Sequence, residues 1–524
     1  MLAVVPSATL HGLDGRSIRV EVDVAPGLPG FTVVGLGDTA VQEARERVRG
    51  AIRNAGFAFP PRRITVNLAP AELRKTGASL DLAIALGILL GSEQVRAGDG
   101  AVALIGEVGL DGDVRPVPGI LPMVAAVAAR RIRRVVVAAG AVDEARLVEG
   151  IEVIGVPSLA DAAQVVRGRR RQRAVVAMPR VTITGPPTTG RHVPDRLSIA
   201  PLDVTPDLAE VRGQAGARRA LEIAVAGGHG LMLSGPPGVG KTLLARTIPG
   251  LLPPLDDAAA LAVSIVASAA GEGPITELRR RPPFRAPHHT LSYAAMVGGG
   301  AALAPGEITR AHQGILFLDE LAEFDRDVLE ALRQPLEEGR IVIARAGRVM
   351  TFPARFQLVA AMNPCPCGFA GTFPEGRCRC TPAEVERYGR RVSGPLRDRI
   401  DLWVEMPRVP AASLVAREDP ETSATVADRI AVARRRAALD RGRSNGRLRG
   451  RQLRAACRLS GAARRRVTEL AEAELASGRG TERLLRVART IADLDGAMDV
   501  DVPHLEEAAH YRPTVTRHAS ALAS

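Results

Sequence analysis

Hydrophobic and polar positions in the first 165 residues alternate between two rhythms. Apolar runs at Ile18–Val24, Ile64–Leu68, Ala101–Ile105 and Val135–Ala138 have the length of strands, whereas Thr39–Asn54 and Ser79–Leu90 repeat their apolar residues at helical spacing. That mixture predicts an α/β or α+β domain. Farther on, Gly230–Ser234, Gly314–Leu318 and Phe356–Met362 are short, nearly unbroken apolar runs that read as buried strands, and Thr242–Ile248 reads as a helix after the first of them. Arg340–Phe352 alternates like two strands joined by a turn near Ala346-Gly347. Glu421 to about His510 is helical by pattern.

Composition refines this picture. With 524 residues the chain has room for about three domains. The pattern divides it at 1–166, a basic Pro/Thr-rich linker at 167–201, a core at 202–410 and a basic helical segment at 411–524. No internal repeat is visible. The formal charge of +13 points to a polyanionic partner, although a general preference for arginine also contributes. The excess is concentrated: from Glu421 to Ser524 there are 20 arginines against 13 acids. Met1-Leu-Ala-Val-Val-Pro lacks the basic start and long apolar centre of a signal peptide. The longest apolar run, about Ala258–Ala270, is too short to span a bilayer. Five cysteines, four of them clustered, do not resemble a secreted disulfide framework. The expectation is a cytoplasmic protein with no membrane partner.

Only Lys75 and Lys241 among the 70 basic residues are lysines. Lys241 stands in Gly235-Pro236-Pro237-Gly238-Val239-Gly240-Lys241-Thr242, which fits the phosphate-binding pattern G-x-x-x-x-G-K-[ST] at every fixed position. A compact ammonium can enter a loop of backbone amides and reach the β- and γ-phosphates; a planar guanidinium is too wide. The loop amides and the start of the next helix would hold the phosphates, and the Thr242 hydroxyl would ligate Mg²⁺. Asp319 and Glu320 close the strand some 75 residues later, suited respectively to a Mg²⁺ shell and to deprotonating an attacking water. Asn363 ends the next strand in a polar amide.

Cys365, Cys367, Cys378 and Cys380 form two Cys-x-Cys pairs ten residues apart. Four thiolates in one short loop suit a tetrahedral Zn²⁺, although structural zinc pairs usually have wider internal spacing; a redox or purely structural role remains the alternative. Cys457 is isolated and reads as a buried helical residue. His288 and His289 read as loop residues rather than metal ligands. Arg345 and Arg348 would flank the hairpin tip, suited to contacting phosphates without reading bases.

These motifs, in this order, resemble the YifB/ComM family of magnesium-chelatase-like AAA+ ATPases over nearly the whole chain. Further matching stretches are Gly27-Leu-Pro-Gly-Phe-Thr-Val-Val-Gly-Leu36, Phe284-Arg-Ala-Pro-His-His-Thr290, Leu332-Arg-Gln-Pro-Leu-Glu337 and Asn363-Pro-Cys-Pro-Cys-Gly368. The resemblance implies an α/β protein with three parts. The first is a Lon-protease-like (S5 domain 2-like), non-proteolytic α+β domain. The second is a P-loop AAA+ core with a helix-2 insertion at Phe284–Gly300 and a hairpin insertion before sensor 1, and the third is a C-terminal helical lid. It further implies ATP and Mg²⁺ as cofactors, a homo-hexameric ring, and a DNA helicase or branch-migration activity in DNA uptake and recombination. Asn363 matches the sensor-1 position, whose amide helps place the attacking water, Arg399 the arginine-finger position and Arg483 the sensor-2 position, while Arg397 stands where an apolar residue is expected and competes for the finger role. Gly77-Ala78-Ser79 aligns with the Lon nucleophile segment, but Arg115–Met123 lacks that family's lysine and Lys75 is a poor substitute base. The rival reading is a chelatase motor subunit remodelling a protein partner. A scaffold that only binds ATP fits poorly with Glu320, Asn363 and Arg399 all in place.

Overall fold

The computed structural model describes residues 1–35, 39–73, 75, 77–168, 205–273, 275–300, 303–345, 348–371, 377–410, 420–473 and 478–511. Apart from Arg167 and Gly168, the expected linker lies outside the described residues, as do the Ala346-Gly347 turn and the side chains of Arg345 and Arg348. The chain forms two compact units.

The first unit holds residues 1–200 together with 257–279 and 299–305. Leu2–His11 pairs antiparallel with Asp14–Ala25 along its whole length. Asp14–Ala25 pairs antiparallel with Arg63–Ala69, and that strand runs parallel to Gly30–Val34. Ile18, Val20, Val22 and Val24 are all buried, the period-two signature of a strand with one face on a core. Helix Asp81–Gly91 is buried almost throughout, and a second, parallel sheet is built from Val102–Leu104, Arg134–Ala138 and Glu152–Val156. The long apolar run becomes helix Asp257–Ala269 and belongs to this unit, although it follows the phosphate-loop segment in sequence. Ser268 anchors it: its carbonyl accepts from Gly119 N–H at 2.9 Å and its hydroxyl donates to the Glu144 carboxylate.

The second unit carries a five-stranded parallel sheet in the order Phe284–Arg285, Ile315–Leu318, Gln357–Met362, Leu231–Ser234, Leu402–Glu405. Its central strands Ile315–Leu318 and Gln357–Met362 are buried at every residue, as the inner strands of a parallel sheet are. One expectation changes here. Phe284 does not begin an insertion: Phe284–Arg285 is an edge strand of the sheet, held by the pairing Phe284↔Ile315. The expected hairpin forms from Arg340–Arg345 and Arg348–Pro353, in register Arg345↔Arg348. The helices Ser423–Arg441, Gly450–Cys457, Gly461–Ala473, Gly478–Leu494 and Val502–His510 follow, and their apolar residues share one core with the sheet, including Leu231, Ile430 and Ile491.

A buried polar network crosses that core. Asp401 accepts from His229 Nδ1 at 2.9 Å and from Arg486 Nη2 at 2.8 Å, while His229 Nε2 meets Thr490 Oγ1 at 2.7 Å. Burial alone would raise the Asp401 pKa, but the Arg486 charge and the His229 hydrogen bond hold it well below the usual carboxylate range. Among the described residues no helix is long and apolar enough to cross a membrane.

Candidate functional site

Three neighbouring strands of the second unit end on the same side of the sheet in Ser234, Leu318 and Met362, so the loops that follow converge. In open parallel sheets the crevice beyond the strand carboxyl ends is the usual ligand site. The first loop turns tightly into helix Lys241–Arg246. Gly238 and Gly240 have φ of 80° and 91°, a region that side chains avoid, and a Cβ on either would meet nothing within 4 Å. The loop therefore borders open space. Gly235 is different: a Cβ there would lie 2.4 Å from the Met406 carbonyl oxygen.

Lys241 is buried, and its ammonium donates to the carbonyls of Gly235 at 2.6 Å and Pro236 at 2.9 Å and to Asn363 Oδ1 at 3.1 Å. Desolvation lowers its pKa. The Thr242 hydroxyl donates to Asp319 Oδ2 at 2.6 Å. A hydroxyl and a carboxylate side by side are the hard oxygen donors that Mg²⁺ prefers. Lys241, Thr242, Asp319 and Asn363 thus meet in one place, and a triphosphate with Mg²⁺ fits the donors and the open loop.

Glu320 follows Asp319 in a left-handed conformation, φ 51° and ψ 47°, which costs a non-glycine residue about 1–2 kcal/mol. Its carboxylate lies 3.3 Å from His289 Nδ1, and the ring of His289 packs against His288 at 4.1 Å between centroids. Sequence reasoning placed His289 in a loop and missed this contact. The edge strand Phe284–Arg285 leads the chain to the turn that sets the histidine beside Glu320, and a strand so short leaves no period in the sequence to find it by.

The four clustered cysteines follow Asn363 directly. Cys365 Sγ lies 3.3 Å from Cys367 Sγ and 3.7 Å from Cys378 Sγ, Cys367 and Cys378 are 3.6 Å apart, and all four sulfurs fall within 4.8 Å of one another. Backbone amides of Arg379 and Phe369 pull the Cys367 thiol down to about 6. Cys457 is buried in its helix and burial pushes it up to about 12.

Arg399 and Arg483 stand apart from this group. Arg399 pairs with Glu337 and lines a cavity of about 580 Å³, among whose walls are Asp398, Asp401, Arg355 and Arg447. Arg483 is partly buried, with a lowered pKa from desolvation, and feels the charges of the same Asp401 and Asp398. Arg397 is held elsewhere: its guanidinium lies 5.7 Å from the Trp403 ring centroid and donates to the Val392 carbonyl at 3.1 Å.

In the first unit, the Ser79 hydroxyl donates to the Ala8 carbonyl at 3.1 Å, and the buried Lys75 ammonium donates to the Pro70 carbonyl. Both groups are engaged by backbone.

Comparison with known proteins finds related sequences along nearly the whole chain. Residues 207–414 match the family model of magnesium chelatase, subunit ChlI, residues 20–141 match that of subunit ChlI of Mg-chelatase, and residues 420–512 match its C-terminal region. An uncharacterized protein of Mycobacterium tuberculosis is 44% identical over 98% of both chains. YifB of Escherichia coli is 42% identical over 98% of this chain and 97% of its own, and the competence protein ComM of Haemophilus influenzae is 41% identical over 98% of each. The chain belongs to the YifB/ComM family of magnesium-chelatase-like proteins.

Proposed function

We propose that this protein is an ATP-hydrolysing ring motor that acts on DNA. The observation that carries the reading is the division of the nucleotide machinery into two sets. Lys241, Thr242, Asp319, Glu320 and Asn363 gather around the glycine loop, whereas Arg399 lines a different cavity with Arg483 beside its carboxylates. A site divided in this way is completed when one copy offers its Arg399 to the loop of the next, which calls for a ring of like subunits, in this family a homo-hexamer.

The residues then have distinct tasks. With nucleotide bound, the Lys241 ammonium would turn from the loop carbonyls to the β- and γ-phosphates, and Thr242 and Asp319 would hold Mg²⁺. Bound MgATP supplies the phosphoanhydride to be cleaved and the charge that needs stabilising. Glu320 takes a proton from the attacking water and Asn363 orients that water, while Arg399 of a neighbouring copy stabilises charge on the transferring phosphoryl group. Arg397 lies over Trp403 and donates to a backbone carbonyl, and Arg399 pairs with Glu337 and the Pro395 carbonyl, so either would have to leave its partners to act as the finger; the family match carries the choice of Arg399.

The charge of +13 and the arginines at the ends of the hairpin strands favour DNA as the track over a protein partner. The name of the related competence protein points the same way. Rates of ATP hydrolysis with and without single-stranded, duplex and four-way-junction DNA test the reading. DNA should accelerate hydrolysis; absence of any stimulation would favour a chelatase-like motor. The double variant Arg345→Ala/Arg348→Ala should still bind nucleotide, but should bind DNA with a salt slope lower by about two and fail to move strands.

A further inference from the structure

The cysteine cluster lies beside the nucleotide loop, and its geometry is that of a metal cage. A tetrahedral ion with bonds of about 2.3 Å to sulfur has sulfurs at its corners about 3.8 Å apart. The separations of 3.6 and 3.7 Å match that edge, 3.3 Å falls a little short of it, and no ligand atom of the four is more than 4.8 Å from another. So compact a set encloses one ion; a cluster of irons and sulfides would spread the thiolates farther. None of the four cysteines is in a disulfide. Backbone amides are already directed at the sulfurs. Ala370 N–H donates to Cys365 Sγ at 3.3 Å, and amides of Arg379 and Phe369 reach Cys367. Such bonds offset the negative charge that four thiolates bring to one divalent cation.

The same turn packs on the nucleotide loop. A Cβ on Gly368 would fall 2.8 Å from Pro237 Cδ and 3.8 Å from Asn363 Cγ, so this backbone rests against both. Gly368 closes the turn with its N–H on the Cys365 carbonyl at 2.9 Å, at a φ of 84°. Asn363 in turn accepts from Lys241 Nζ. A short physical path therefore leads from the thiolates through Gly368 to Pro237, Asn363 and Lys241. Phe369 extends the packing, with the guanidinium groups of Arg377 and Arg408 5.1 and 5.5 Å from its ring centroid.

We propose that Cys365, Cys367, Cys378 and Cys380 bind one Zn²⁺, and that this ion clamps the turn 365–368 against the phosphate loop so that Asn363 and Pro237 keep their positions. Soft thiolates in a tetrahedron select Zn²⁺ over Mg²⁺. The metal takes no part in hydrolysis: it fixes residues that do. The clamp rests on the nucleotide-binding reading above, whereas the metal site does not.

The test uses the full chain purified under reducing conditions without added metal. Elemental analysis should find about one zinc per chain, and exchange for Co²⁺ should give the absorption of a tetrahedral tetrathiolate ion. Cys378→Ser alone and Cys365→Ser with Cys378→Ser should both lose that zinc. Stripping the wild-type protein with a chelator should lower kcat at least ten-fold, with circular dichroism unchanged, and adding Zn²⁺ or Cd²⁺ should restore it. A folded, reduced wild-type chain that neither contains nor takes up zinc would overturn the metal site, as would two disulfides in its place. Full hydrolysis by folded, zinc-free protein would overturn the clamp. Lys241→Ala should keep its zinc; a wild-type chain that holds zinc but binds no ATP would count against the nucleotide reading and leave the metal site standing.

Discussion

The two lysines of this chain make a controlled comparison. Both are buried, both have a pKa lowered by desolvation, and both donate to backbone carbonyls. Lys75 ends there, in the first unit, against the Pro70 carbonyl. Lys241 has in addition Asn363 at 3.1 Å, a Thr242–Asp319 pair one residue away, and glycines whose missing side chains leave the loop open. Burial of a cation therefore does not mark chemistry. What distinguishes the second site is unfilled space bordered by donors of the right kind.

The largest effect expected from that difference is on nucleotide affinity. Lys241→Ala should weaken ATP binding on the order of 100-fold or more, the loss of a charged contact worth about 3 kcal/mol, whereas Lys75→Met should leave it within about two-fold. Equilibrium binding of a fluorescent ATP analogue checks both, and equal losses in the two variants would break the comparison.

Glu320→Gln should come next, with hydrolysis reduced about 10²–10⁴-fold while binding persists. His289→Ala should have a smaller effect, about ten-fold on kcat with little change in KM, because the histidine touches Glu320 and positions it. A change confined to KM would place His289 with substrate binding instead.

The smallest effect is on stability. The folded pKa of Lys75 is below its ordinary value of 10.5, so between those two values the unfolded chain holds more protons and stability rises with pH. Lys75→Met should remove that contribution. Unfolding midpoints measured from pH 7 to 10.5 should therefore rise more, or fall less, in the wild-type chain than in the variant; parallel curves would show that burial leaves the Lys75 pKa unshifted.

Much of the second unit was legible because its signals are local. The strand before the glycine loop is expected at 230–234 and found at Leu231–Ser234, and the two hairpin strands expected within 340–352 are found at Arg340–Arg345 and Arg348–Pro353. Strong apolar runs and a turn between them depend on neighbours in sequence. The amino-terminal strand Leu2–His11 escaped notice, since Pro6 and the mixed run Ser-Ala-Thr around it carry no clean alternation and its pairing partner supplies the register. The contact of His289 with Glu320 escaped notice for a related reason. The strand that precedes it in the chain, Phe284–Arg285, is two residues long, too short to show a period, and exists through pairing with Ile315–Leu316.

Sequence by itself determined the glycine loop, the acidic pair, the clustering of cysteines and the concentration of arginine, because each is a matter of residue type at fixed spacing. Only the tertiary structure decided which of these meet. Spacing could not say that Arg397 stacks on Trp403 while Arg399 lines a cavity, since two residues in one turn differ only in what surrounds them. Nor could it assign the apolar helix Asp257–Ala269 to the first unit, against Glu144 and Gly119, more than a hundred residues earlier. An apolar face requires burial but does not name its partner; that is settled when the folded chain brings complementary surfaces together.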